Sequence, residues 1–151
     1  GKTPVRPMLS QRRAVSFLST VSNTGTLRFM VLKKPLDAPT LIKFFTRLCR
    51  DADRKVFVIL DNLNVHKARA VRAWVAAHAE AIALFYLPAY SPELNPDEYL
   101  NGDLKLSVAK RAPARDRDAL LRTATTRLRS LQRRPDQVKK FFHHPRVRYA
   151  A

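Results

Sequence analysis

Runs of β-branched and aromatic residues dominate the first part of the chain. Arg13–Ser22 (RAVSFLSTVS) and Thr26–Lys33 (TLRFMVLK) flank Asn23-Thr24-Gly25, which predicts a β-hairpin with Gly25 at positive φ. Pro35 and Pro39 predict a turn. Thr40–Arg50 then spaces Leu41, Phe44, Phe45 and Leu48 as one helical stripe, with Lys43, Arg47 and Arg50 elsewhere on the surface. Lys55–Leu60 is a short, continuous apolar run, the pattern of a strand buried on both faces. Lys67–Glu80 is Ala-rich and predicts a helix that buries Val71, Trp74 and Val75, and Ala81–Leu87 predicts the next strand. Strand, helix and strand with short links make a βαβ unit, so the two strands are expected to be parallel neighbours.

Pro88, Pro92 and Pro96 recur at every fourth residue, which forbids helix and predicts a stiff, extended loop. Asn95-Pro96 is a helix start, a capping residue followed by proline in the first turn. That helix runs to about Lys110 with Leu100, Leu104 and Val108 inward, and Pro113 ends it. Asp116–Arg133 predicts a further helix, dense in arginine, with Leu120, Leu121, Ala124, Leu128 and Leu131 on its apolar side. Pro135–Phe142 predicts a last short helix before His143-His144-Pro145 and a tail. With no repeats or linkers, residues 1–151 read as one α/β domain.

Composition adds a partner class. An apolar fraction of 46% supports a real core, and the net charge is +17, with a pI of about 11.1. Such a field favours polyanions. From Lys105 onward the chain has 14 Lys and Arg against three acids, net +11, whereas the first 104 residues have 15 against 9, net +6. The C-terminal third is thus the main electrostatic footprint. No apolar run approaches the ~20 residues that span a bilayer, and GKTPVRPMLSQRR lacks the apolar segment of a signal peptide. The single cysteine, Cys49, excludes an internal disulfide framework and suits a reducing compartment. Its helix-spaced apolar neighbours predict a buried structural thiol.

Against this basic background, acids stand at the ends of two core elements. Asp61 closes the first apolar strand, where α/β folds place ligand-binding groups, and Asn62, Asn64 and His66 follow it. Asp61-Asn62 is also consistent with a plain turn. The proline loop delivers Asp97 and Glu98 to the start of a helix. Here Asn95-Pro96-Asp97-Glu98 also fits a capping box with Glu98 at the third position, and Asp97 suits the helix dipole.

The combined string DN…H…W…LPAYSPELNPDE, followed by LK, closely resembles the catalytic domain of mariner-superfamily DDE transposases, best their bacterial insertion-sequence branch. The resemblance runs from about Gly1 to the C-terminus and is strongest from Val56 to Lys105. It implies a ribonuclease-H-like fold, a mixed sheet with helices on both faces. It also implies an Asp-Asp-Glu triad holding two Mg²⁺ or Mn²⁺ ions in the complete protein. By position, Asp61 matches the second triad carboxylate and Glu98 the third, both as metal ligands and catalytic groups. Asn62, His66 and the Tyr90–Pro96 loop match the residues around them. Asp97 stands where an apolar residue is common and is an auxiliary carboxylate candidate; Asn101 stands where many members have tryptophan. The first triad Asp lies on a strand preceding the segment that Gly1–Pro4 resembles. Asp37, between Pro35 and Pro39, is misplaced to substitute. The chain is therefore expected to be a fragment of the transposase catalytic domain that lacks the first strand and is inactive alone. The resemblance further implies DNA partners (transposon ends and target), homo-oligomerisation, no membrane and a cytoplasmic, nucleoid-associated setting.

The basic residues complete the reading. Lys105 lies two turns after Glu98 on the same stripe and is a phosphate-contact candidate, or a solvated lysine. Arg122, Arg127, Arg129, Arg133 and Arg134 have few acidic neighbours in sequence and are expected to contact DNA phosphates. His143-His144 cannot share a helix face, so solvent or DNA-backbone contact is expected rather than a metal pair. Trp74 is expected in the core. Two rivals remain open: a non-catalytic DNA-binding remnant of a transposase, and a ribonuclease-H-like nuclease acting on other nucleic acid.

Overall fold

The computed structural model describes residues 5–7, 16–61, 63–89, 91–110 and 117–151. Strands β1 (Val5–Pro7), β2 (Ser16–Val21) and β3 (Leu27–Leu32) form an antiparallel sheet in the order β1-β2-β3. The β2–β3 register runs from Ser16 opposite Leu32 to Val21 opposite Leu27. As predicted, Gly25 has positive φ (92°), with its N–H bonded to the Ser22 carbonyl. A Cβ there would also meet the Pro135 carbonyl oxygen at 2.7 Å. Backbone conformation and close packing therefore both demand glycine.

Helix α1 spans Ala38–Asp51. It starts earlier than the prolines suggested, because Pro39 occupies its first turn, where a missing N–H costs nothing. Asp37 caps it, accepting from the Thr40 amide at 2.9 Å. Strands β4 (Val56–Leu60) and β5 (Ile82–Tyr86) pair in parallel, Leu60 opposite Tyr86, around helix α2 (Arg69–Ala77). This is the βαβ unit. Contrary to expectation, β4 is not buried on both faces. Val58 and Leu60 are fully buried, but Phe57 is 54% exposed and its ring pairs with Phe85. The apolar run conceals an ordinary period-two strand.

Helices α3 (Asp97–Lys110), α4 (Arg117–Gln132) and α5 (Pro135–Lys140) complete the chain with a 3-10 segment, Pro145–Ala150. Alternation along β2 builds two cores. Phe17 and Val21 join Leu100, Leu104, Leu120, Leu128 and Val138 on one face. Leu18 joins the α1 stripe, Val58, Leu60, Val71 and Ile82 on the other. Burying each large side chain contributes about 1.5–3 kcal/mol. Helices thus cover both faces of β2, as expected, whereas one face of β4 and β5 stays open, and among the described residues no strand bridges β2 and β4. Trp74 is only half-buried, stacked on His78. Cys49 is also half-buried, and partial desolvation raises its thiol pKa. No described helix is long and apolar enough to cross a membrane.

Candidate active site

The site begins at the carboxyl end of β4. Asp61 follows the buried Leu60, and its side chain is 19% exposed. A 3-10 turn at Asn64–Lys67 folds the chain back so that His66 is completely buried beneath it. The His66 Nδ1 lies 3.0 Å from the Asp61 backbone carbonyl and 3.0 Å from its Oδ1. Both neighbours are acceptors, so Nδ1 carries the proton, directed chiefly at the carbonyl. The ring thereby fixes the backbone of Asp61 and lies against its carboxylate. The His66 backbone is held in turn from β5, because the Tyr86 hydroxyl donates to the His66 carbonyl at 2.8 Å. Burial raises the Tyr86 phenol pKa, with Arg72 opposing.

The second acidic site arrives from the adjacent strand end. Leu87 N–H donates to the Leu60 carbonyl at 2.7 Å, which prolongs the β4–β5 pairing into the loop. The prolines do not keep that loop wholly extended: Pro92–Leu94 forms a 3-10 turn that begins on proline. Asn95 is 1% exposed, and its Oδ1 accepts from the Asp97 amide at 3.1 Å. Its own N–H bonds the Pro92 carbonyl. Glu98 itself is half-buried.

Asp97 has a different setting from Glu98. It is fully buried, and the Ser19 hydroxyl on β2 faces its two carboxylate oxygens at 2.9 and 3.1 Å. Ser19 shares the face of β2 with Phe17 and Val21, so this contact ties the first turn of α3 to the three-stranded sheet. The sequence carried no signal for Ser19. A lone serine in an apolar strand resembles any other, and its partner is 78 residues away.

Asn62 and Tyr90 lie outside the described residues. Lys105, Arg122, Arg129, Arg133 and Arg134 are exposed. Arg127 departs from expectation: its guanidinium grips Asp103 of α3 through two bonds of 2.7 and 2.8 Å. Those bonds raise its pKa. Sequence distance had hidden this acidic partner. Among the described residues, no three His, Cys, Asp or Glu side chains form a group able to hold a metal ion.

The sequence profile of the DDE superfamily endonucleases matches residues 1–121. This chain belongs to that family. The catalytic domain of Mos1 mariner transposase superposes with a TM-score of 0.61 at 17% identity, over 92% of this chain and 79% of that one. The same domain has been solved with Raltegravir and Mn, and with Raltegravir and Mg. The Mos1 strand transfer complex gives a TM-score of 0.69 at 19% identity over 97% of this chain. An intasome of simian T-cell lymphotropic virus, bound to PP2A regulatory subunit B56 gamma, gives 0.62 at 14% identity over 83%. This chain spans only 43% and 46% of those last two chains. No curated protein sequence matches it. At such identities the likeness is one of fold, the ribonuclease-H-like arrangement of transposase and integrase catalytic cores.

Proposed function

We propose that this chain is the catalytic core of a bacterial insertion-sequence transposase, cutting and joining DNA strands at element ends by divalent-metal-dependent phosphoryl transfer. The single observation that supports this best is the DDE-family match over residues 1–121, which takes in both Asp61, at the carboxyl end of β4, and Glu98, in the first turn of α3 after the loop that follows β5. Asp61 and Glu98 are the proposed ligands for Mg²⁺ or Mn²⁺. The donor set fits a hard cation, since carboxylate oxygens are what such ions prefer. When bound, two such ions activate the attacking water or 3′-hydroxyl and stabilise the leaving oxygen.

The chain's own residues supply positioning. His66 orients Asp61, and Asn95 and Ser19 fix the start of α3, hence the backbone from which Glu98 projects. Lys105, Arg122, Arg129, Arg133 and Arg134 are proposed to contact DNA phosphates, with Arg127 bracing the helix that presents the arginines. Asn62 and Asp97 are proposed auxiliaries. The protein is proposed to work as a homo-oligomer on transposon ends and target DNA at the bacterial nucleoid.

The lack of a three-ligand group among the described residues favours one second reading, a non-catalytic DNA-binding remnant. The test is Mg²⁺-dependent nicking and strand transfer by the full-length protein on its own element ends. Activity abolished by Asp61→Ala and by Glu98→Ala supports the catalytic reading. Activity that survives either substitution contradicts it.

A further inference from the structure

The last residues of the chain, beyond the family match at residue 121, return to the loop that leads into Glu98. Val147 is fully buried and anchors the 3-10 segment Pro145–Ala150. The Tyr149 hydroxyl donates to the Leu94 carbonyl. His144 packs on Tyr99, the residue after Glu98, with ring centroids 4.9 Å apart and planes tilted by 30°. The His144 Nδ1 accepts the Arg146 amide at 3.3 Å, so its remaining proton sits on Nε2 as an outward donor. The imidazole is therefore locked by a ring on one side and a backbone amide at one nitrogen.

His144, Arg146 and Arg148 are exposed, and Tyr149 is 54% exposed. Tyr99 is half-buried, and desolvation raises its phenol pKa; Arg146 opposes the shift and Glu93 adds to it. Those two charges therefore face the ring, one basic and one acidic. Rigid rings with cations around them, in a chain of net charge +17, are the combination that holds single-stranded nucleic acid. Bases stack on the rings and cations track the phosphates. A base on the outer face of His144 extends the Tyr99–His144 stack by one ring.

We propose that Tyr99, His144 and Tyr149 form a stacking platform for an unpaired base of a DNA strand, with Arg146 and Arg148 on its phosphates, next to the Glu98 site. The inference rests on the reading that this chain acts on DNA, and it narrows the substrate there to a strand end opened from its duplex. Fixing such a base beside Glu98 holds the strand in register with the carboxylates.

The experiment is fluorescence anisotropy of the whole chain with a labelled single-stranded oligonucleotide and with a duplex of the same sequence. His144→Asn removes the ring but keeps an acceptor for the Arg146 amide. It is expected to weaken single-strand binding by roughly fivefold or more and to leave duplex binding unchanged. Tyr149→Phe, which keeps its ring, should bind the single strand as the parent does. Arg146→Ala with Arg148→Ala should flatten the single-strand salt dependence by about 0.7 in log–log slope for each phosphate no longer neutralised. Equal losses on single strand and duplex, or no loss in a chain that still binds duplex, would overturn the platform and leave the proposed function standing. Absence of any DNA binding would overturn both. Self-association abolished in His144→Asn by light scattering, with single-strand affinity intact, would overturn the platform and reassign the surface to a protein partner.

Discussion

Asp61 owes its position to a buried imidazole that bonds its backbone carbonyl and lies against its carboxylate. Partners that hold a ligating group typically change metal affinity 10–100-fold when removed. His66→Ala is therefore expected to weaken Mn²⁺ binding about tenfold and to lower the melting temperature, with His66→Gln recovering part of the affinity. Unchanged Mn²⁺ affinity in a folded His66→Ala chain would show that Asp61 does not depend on this ring. Gly25 is the other decisive single position. Gly25→Ala forces a positive φ on an L side chain and presses a methyl group on Pro135. The expected cost is about 1–3 kcal/mol from backbone strain alone, read as a lowered urea midpoint. A midpoint equal to the parent's would mean that the turn and α5 yield freely.

Elements differ in how their charges are committed. The Arg127–Asp103 pair joins α3 to α4, with both side chains 25% exposed. Arg127→Ala is expected to cost about 1–2 kcal/mol of stability and to leave the DNA salt slope alone. The triple substitution of Arg122, Arg129 and Arg133 by alanine should do the reverse, flattening the duplex slope by about 0.9 for each phosphate no longer neutralised. Identical behaviour of the two variants would dissolve this division of charges along α4 and the turn that follows it. The cap of α1 gives a pH signature. The Thr40 contacts hold the Asp37 carboxyl below its ordinary value, with Lys34 assisting. A depressed carboxylate stabilises the fold above its unfolded pKa of about 3.8, and that contribution disappears as pH falls through the lower, folded value. Asp37→Ala should therefore lower the melting temperature near neutral pH and converge with the parent in strong acid.

Much of this was legible in local pattern. The hairpin was readable because Asn23-Thr24-Gly25 separates two β-rich runs, the βαβ unit because two apolar strands flank an amphipathic helix, and the starts of α3 and α5 because proline marks first turns. Contacts between segments distant in sequence were not. Nothing local links Ser19 to Asp97 or Asp103 to Arg127, and the burial of His66 follows from a 3-10 turn without hydrophobic periodicity. Phe57 misled because a continuous apolar run does not reveal which alternate residues face the core.

At the scale of the molecule, a DDE-family fold and a net charge of +17 converge on nucleic acid, and the central claim is that Asp61 and Glu98 make one metal site. Carboxylates few in number hold divalent ions weakly, so the decisive measurement is Mn²⁺ paramagnetic broadening in amide NMR spectra, which detects weak occupancy and reports its place. Titration of the parent chain is predicted to broaden the resonances around Asp61 and around Glu98 at the same Mn²⁺ concentrations. Asp61→Ala and Glu98→Ala should each abolish both effects. Broadening confined to one of the two segments, or retained around Glu98 after Asp61→Ala, would contradict a shared site.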